Sequence, residues 1–141
     1  MTADQLPTPF FIVYEDRLRA NLELITDVAR RSGAKIIMAF KANALWRTFP
    51  IIKEYCTDCT ASSVNELLLG AECLGGELHS YTPAYTDSNI DTFIRHSTHI
   101  TFNSLSQLER YGARARQGGV SVGLRVNPRC SVIDTDIYNP A

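Results

Sequence analysis

The sequence predicts an α/β fold of repeated βα units around a parallel sheet, and three observations carry this. Five short apolar stretches recur about every 20 residues along the 141-residue chain. Segments with helical periodicity fill the gaps between them. Capping residues and glycines punctuate the boundaries where a helix must start or stop. Strands alternating with helices at this period are joined by crossovers, which makes neighbouring strands parallel.

The elements follow in order. Residues 10–14 (FFIVY) are a possible extra strand outside the series. Leu18, Leu22, Ile25 and Ala29 fall at i, i+4, i+7 and i+11, one stripe of a helix that Gly33 can end. Residues 35–40 read as the first strand of the series, apolar enough to be buried on both faces. Thr48 and Pro50 suit the start of a helix carrying Ile51, Ile52 and Tyr55. The shortest strand is 59–61. Ser63 and Glu66 then form an S-x-x-E capping box ahead of Leu67, Leu68, Ala71 and Leu74, with Gly75 and Gly76 as the stop. A third strand covers 77–81, a shorter helix 88–95, and a fourth strand 99–102. Ser104 with Gln107 repeats the capping spacing before Leu108, Tyr111 and Ala115, and Gly118 and Gly119 follow. The fifth strand is 120–126; Asn127 and Pro128 mark a turn, and 129–141 reads as loop.

Composition narrows the function classes. Hydrophobic residues at 45% and charged ones at 21% are ordinary for a soluble globular domain. Fourteen basic against fifteen acidic residues leave a net charge of −1, which argues against a nucleic-acid partner. No apolar run approaches the roughly 20 residues of a membrane span. Residues 1–8 lack a basic region and an apolar core, so no signal peptide is read and a cytoplasmic location is expected.

Lys41 is the first residue that could carry chemistry. It follows the apolar strand directly, sharing a face with Ile37 and Ala39, at the carboxyl end where parallel barrels assemble their active sites. Partly desolvated above an apolar stem, its amine would be a neutral nucleophile suited to a Schiff base; a solvated lysine at a strand end is the other reading. Arg125 lies among Val122, Leu124 and Val126, where a guanidinium needs acceptors. It reads either as a donor to a cofactor or substrate oxygen or as a structural clamp. Cys56 and Cys59 have C-x-x-C spacing, but Cys73 and Cys130 do not complete a zinc half-site, so ordinary reduced thiols are expected. His79, His96 and His99 show no close metal-ligand spacing; His79 could face the barrel mouth while His96 and His99 decorate the entry to the fourth strand. No metal site is expected. There is no G-x-G-x-x-G and no Walker-type loop.

Ala39-Phe-Lys-Ala-Asn43 after its strand resembles the lysine motif of the pyridoxal-phosphate decarboxylases with an alanine-racemase-like barrel. Further segments resemble, in order, the carboxynorspermidine decarboxylase family within that group. They are Pro9-Phe-Phe-Ile-Val13, Ala44-Leu-Trp46, Thr60-Ala-Ser-Ser63 with Glu66, and Tyr81-Thr-Pro-Ala-Tyr85. Thr101-Phe-Asn-Ser-Leu-Ser-Gln107, Gly123-Leu-Arg-Val-Asn-Pro128 and Asp136-Ile-Tyr-Asn-Pro140 complete the set. Trp46 and the Tyr81–Tyr85 segment distinguish it from diaminopimelate and ornithine decarboxylases.

The resemblance implies the N-terminal part of a TIM (β/α)8 barrel, with about five strands present and the C-terminal β domain absent. Residues 1–141 would then be a partial pyridoxal-phosphate-binding barrel domain, since a full barrel takes about 250 residues. It implies pyridoxal 5′-phosphate as cofactor, held by Lys41, with Arg125, Ser62 and Glu66 near it; Thr60, Asn103 and Ser104 match neighbouring segments. Glu66 and Ser104 also have their capping explanation. The implied reaction is decarboxylation of carboxynorspermidine or carboxyspermidine, with Trp46, Tyr81 and Tyr85 available to the substrate's remote ammonium groups. A homodimer with shared active sites is implied for the parent. A chain of this length alone is expected to be inactive, and its open sheet edge to favour self-association. The alternatives are a diaminopimelate-type decarboxylase and a non-catalytic pyridoxal-phosphate-binding protein.

Overall fold

The structure is a computed structural model and describes residues 5–132. Five strands form one parallel sheet in chain order: β1 (Met38–Ala39), β2 (Cys59–Ala61), β3 (Leu78–Tyr81), β4 (His99–Phe102) and β5 (Ser121–Leu124). Helices α1 (Glu15–Ser32), α2 (Phe49–Ile52), α3 (Val64–Cys73), α4 (Ile90–His96) and α5 (Leu105–Gln117) supply the intervening layer, and a 3-10 turn (Trp46–Thr48) leads into α2. The sequential order and the parallel pairing are those of a barrel wall, as the period predicts.

Alternation along each strand separates two faces. Cys59, Ala61, Leu78, Ser80, Ile100 and Phe102 are buried against the helices, while Thr60, His79, Tyr81, His99 and Thr101 between them are only half-buried. The outer face is therefore the core. Phe93, Ile90, Leu67 and Ala115 from the helices complete it, and apolar burial at roughly 25 cal/mol per Å² is what holds the layers together. Gly70 on α3 is required there. A Cβ at that position would stand 2.7 Å from the Cys59 sulfur and 2.9 Å from the Phe40 ring.

The caps behave as their residues dictate. The Ser63 hydroxyl accepts the Glu66 N–H at 3.2 Å, and the Ser104 hydroxyl accepts that of Gln107 at 3.3 Å. Gly33 ends α1 in the left-handed region at φ 72°, where a Cβ would be strained.

Three expectations need correction. Residues 10–14 form no strand: they are irregular and exposed, Phe11 fully so, because no neighbouring strand offers them a ladder. The first strand shrinks to Met38–Ala39: only these two residues pair with β2, and the chain turns directly after them, with the Ala42 and Asn43 N–H groups donating to the Ala39 carbonyl. The stripe of α1 is where the spacing places it, yet no residue of the helix is buried. Leu18, Leu22 and Ile25 instead line a cavity of about 400 Å³ shared with Ile37, Met38 and Ile52. The Asp136–Pro140 segment and the end of the expected loop lie outside the described residues. Among those described, no helix is long and apolar enough to cross a membrane.

Candidate active site at the carboxyl ends of the strands

Register turns the inner face into transverse rows. Ala39 pairs with Thr60, Thr60 with His79, His79 with His99, and His99 with Ser121. Two residues further on, Tyr81 pairs with Thr101 and Thr101 with Gly123. Continued past the last paired residues, this alternation places Lys41 and Ser62 in the second row, with Asn103 and Arg125 one step beyond. The candidate residues, Tyr81 included, come from all five βα units and gather at one end of the sheet.

Lys41 is held there by its own loop. The carbonyl of Ala39 accepts both the Ala42 N–H (2.9 Å) and the Asn43 N–H (3.2 Å), a tight turn directly off β1. The Asn43 side-chain oxygen then accepts the Leu45 N–H at 2.9 Å. Phe40, buried at 2% exposure, stacks on Phe49 with ring centroids 5.4 Å apart and anchors the residue before the lysine. Lys41 itself is exposed, not desolvated as its apolar stem predicts, because no described residue covers the mouth. No described hydrogen bond or ion pair engages its ammonium.

Arg125, Tyr81 and Asn103 form one cluster. The Arg125 guanidinium donates from Nη1 to the Tyr81 hydroxyl (2.6 Å) and to Asn103 Oδ1 (3.4 Å), and the Tyr81 hydroxyl donates to the same Oδ1 at 2.9 Å. The guanidinium carbon also lies 5.6 Å from the Tyr81 ring centroid, within cation–π range. Arg125 stands just past β5 and is exposed, so the burial cost its apolar neighbours raise does not arise.

Ser62 and Glu66 meet differently. Glu66 Oε2 accepts the backbone N–H of Ser62 at 2.5 Å, one residue ahead of the Ser63 N-cap, so the carboxylate fixes the β2–α3 turn without making the reciprocal bond of a capping box. Tyr85 belongs to the core: it is buried, and its hydroxyl donates to the Ser80 (3.0 Å) and Thr101 (3.2 Å) carbonyls. Burial pushes its phenol well above the ordinary range. Trp46 is half exposed, with the Arg47 guanidinium 4.5 Å from its ring centroid. The four cysteines are free, and burial pushes the Cys59 thiol up to about 11.

The opposite, amino end of the sheet holds a cluster that sequence spacing hides. Lys35 Nζ bridges Asp58 (3.0 Å) and Glu77 (2.7 Å), and the His79 and His99 rings stack 4.3 Å apart beside Glu77. Thus His79 faces inward but lies at the floor and not the mouth, and His99 is its direct partner. Only the cross-strand register brings these residues together. A βα period of about 20 residues separating two histidines was the available signal.

No protein-family model matches the chain. A carboxynorspermidine/carboxyspermidine decarboxylase from Herminiimonas arsenicoxydans is 38% identical over 136 residues, covering 96% of this chain and 37% of that protein. A carboxyaminopropylagmatine decarboxylase from Synechocystis is 37% identical over 135 residues, covering 96% of this chain and 35% of that protein. The crystal structure of carboxynorspermidine decarboxylase complexed with norspermidine from Campylobacter jejuni superposes with a TM-score of 0.78 at 35% identity, covering 83% of this chain and 31% of that one. The chain spans about a third of the length of the curated relatives it matches. In sequence and in fold it is a homologue of the N-terminal part of the carboxynorspermidine/carboxyspermidine decarboxylases.

Proposed function

We propose that these 141 residues are a partial barrel domain of a pyridoxal-phosphate-dependent decarboxylase acting on carboxynorspermidine or carboxyspermidine in polyamine biosynthesis. The observation that carries it is an exposed, unengaged lysine, fixed in a tight turn at the carboxyl end of β1, at the same end of the sheet as Tyr81, Asn103 and Arg125. That arrangement fits the cofactor: a primary amine for its aldehyde, and a cationic and hydroxyl-bearing rim for its anionic groups. When bound, pyridoxal phosphate supplies the electron sink that lets a carboxylate leave from an amine-bearing carbon.

The chain's own residues have separable tasks. Lys41 would hold the cofactor through its ε-amine and could carry a proton at that nitrogen. Arg125, oriented by Tyr81 and Asn103, would present a fixed positive charge to the cofactor's anionic groups. Ser62 offers its hydroxyl from a turn that Glu66 holds in place, so Glu66 acts as a positioning residue. Trp46 keeps an exposed indole available to a substrate ammonium, whereas Tyr85 is committed to the core. The reading carries a cytoplasmic homodimer with shared sites.

The test is a chimaera in which residues 1–141 replace the matching stretch of the Herminiimonas relative. It should release carbon dioxide from carboxynorspermidine, and Lys41→Ala should abolish turnover and cofactor absorbance together. The 141-residue chain alone should show no appreciable turnover. A folded chimaera that binds the cofactor yet turns over none of these substrates would sink the proposal, as would a preference for diaminopimelate. The Synechocystis relative supports a second substrate, carboxyaminopropylagmatine, and competition between it and carboxynorspermidine in the same assay separates them.

A further inference from the structure

The floor cluster has a geometry that its ion pairs do not explain. His79 and His99 are direct partners across β3 and β4, and their rings stack with an interplanar angle of 15°. The two Nε2 atoms stand 3.7 and 3.5 Å from one and the same oxygen, Glu77 Oε2. One ligand atom from each of the three residues lies within 4.8 Å of the other two. Both separations are too long for a good hydrogen bond. The His79 Nε2 is also buried without any hydrogen-bond partner. Such an orphaned nitrogen calls for a group that belongs beside it, an ion or a water.

The separations themselves indicate which. Ligand atoms about 2.0–2.2 Å from a shared zinc ion, at tetrahedral angles, stand roughly 3.3–3.5 Å from each other. We propose that Glu77, His79 and His99 form a site for a divalent transition-metal ion of the zinc type, with water as the fourth ligand. Two imidazoles and one carboxylate suit zinc over magnesium or calcium, which prefer all-oxygen shells. The imidazoles must turn toward each other from their stacked pose, and the side-chain torsion involved is a soft one.

Lys35 is the built-in competitor. Its ammonium sits 2.7 Å from the same Oε2 and 3.0 Å from Asp58 Oδ2. When the ion takes Glu77, Lys35 keeps Asp58. The site lies at the end of the sheet away from Lys41, so the ion ties β3 to β4 and takes no part in the chemistry at the mouth. This is independent of the proposed decarboxylation.

The metal-stripped 141-residue chain titrated with Co²⁺ and back-titrated with Zn²⁺ tests it, read by the visible d–d absorption. One equivalent should bind, with no thiolate-to-cobalt charge-transfer band. His99→Gln and Glu77→Gln should weaken binding at least about tenfold, since even outer-shell partners cost that much. Lys35→Met should tighten it, and Cys56→Ser with Cys59→Ser should leave it unchanged. In parallel, Zn²⁺ added to the unsubstituted chain should shift the imidazole NMR signals of His79 and His99 and spare His96. No saturable binding, unchanged binding in a folded His99→Gln chain, a charge-transfer band that vanishes with the cysteines, or unmoved His79 and His99 signals would each overturn the proposal.

Discussion

Cys59 and Cys56 show how little a short motif says about reactivity until burial is known. Cys59 is buried at 1% exposure and its thiol is pushed up to about 11, so little thiolate exists near neutrality. Cys130 is exposed. Alkylation of the native chain near pH 8, followed by peptide mapping, should label Cys130 rapidly and Cys59 only on unfolding. Tyr85→Phe should cost about 1–3 kcal/mol in a denaturant titration, because the buried Ser80 carbonyl and the part-buried Thr101 carbonyl lose their donor. At this scale the sequence was informative where one residue's position along its own strand decided matters. Lys41 is legible because an apolar strand ends just before it. The Arg125–Tyr81–Asn103 cluster is not, since it depends on how three strands line up, and no local pattern encodes that. The same gap hid Glu77 beside His79 and His99.

Helices and turns were legible where a side chain closes a local hydrogen bond. Ser63 and Ser104 each satisfy a helix N–H three residues on, so both starts could be read from spacing. The 10–14 segment failed because a strand exists only through a neighbour, and β-propensity names no partner. Gly70 gives the element-level test. Gly70→Ala drives a Cβ into Cys59 and Phe40, neither able to retreat within the core, and should destabilise by about 1–3 kcal/mol despite better helix propensity. The loop ahead of α4 is tied to α5 through Asp87, which accepts from the Tyr111 hydroxyl at 2.9 Å and from Arg110. These donors, Tyr111 foremost, hold its carboxyl below the ordinary range. The unfolded chain then binds more protons in that range, so the contribution is present above it and lost as pH falls through it. Asp87→Asn should lower the thermal midpoint near neutrality and flatten its decline toward pH 3.

For the molecule as a whole, the period forecast both strand number and order, because each βα unit can bury its outer face only against the next. It could not show how much of the sheet stays uncovered. Among the described residues β1 and β5 each present an unpaired edge, and a net charge of −1 offers little repulsion between copies. Sedimentation velocity of the 141-residue chain should show average mass rising with concentration; a monomer throughout would mean the edges are blunted. The two faces of the sheet also answer to different pressures. Substitutions at Cys59, Ala61, Ile100 or Phe102 disturb close packing, whereas those at Thr60, Tyr81, His99 or Thr101 change a surface that water already reaches. Tolerance to mutation should thus oscillate with a period of two along each strand. Positions that fix the melting temperature then alternate with positions that fix what the trough can hold, so specificity can drift in evolution while the fold beneath it stays put.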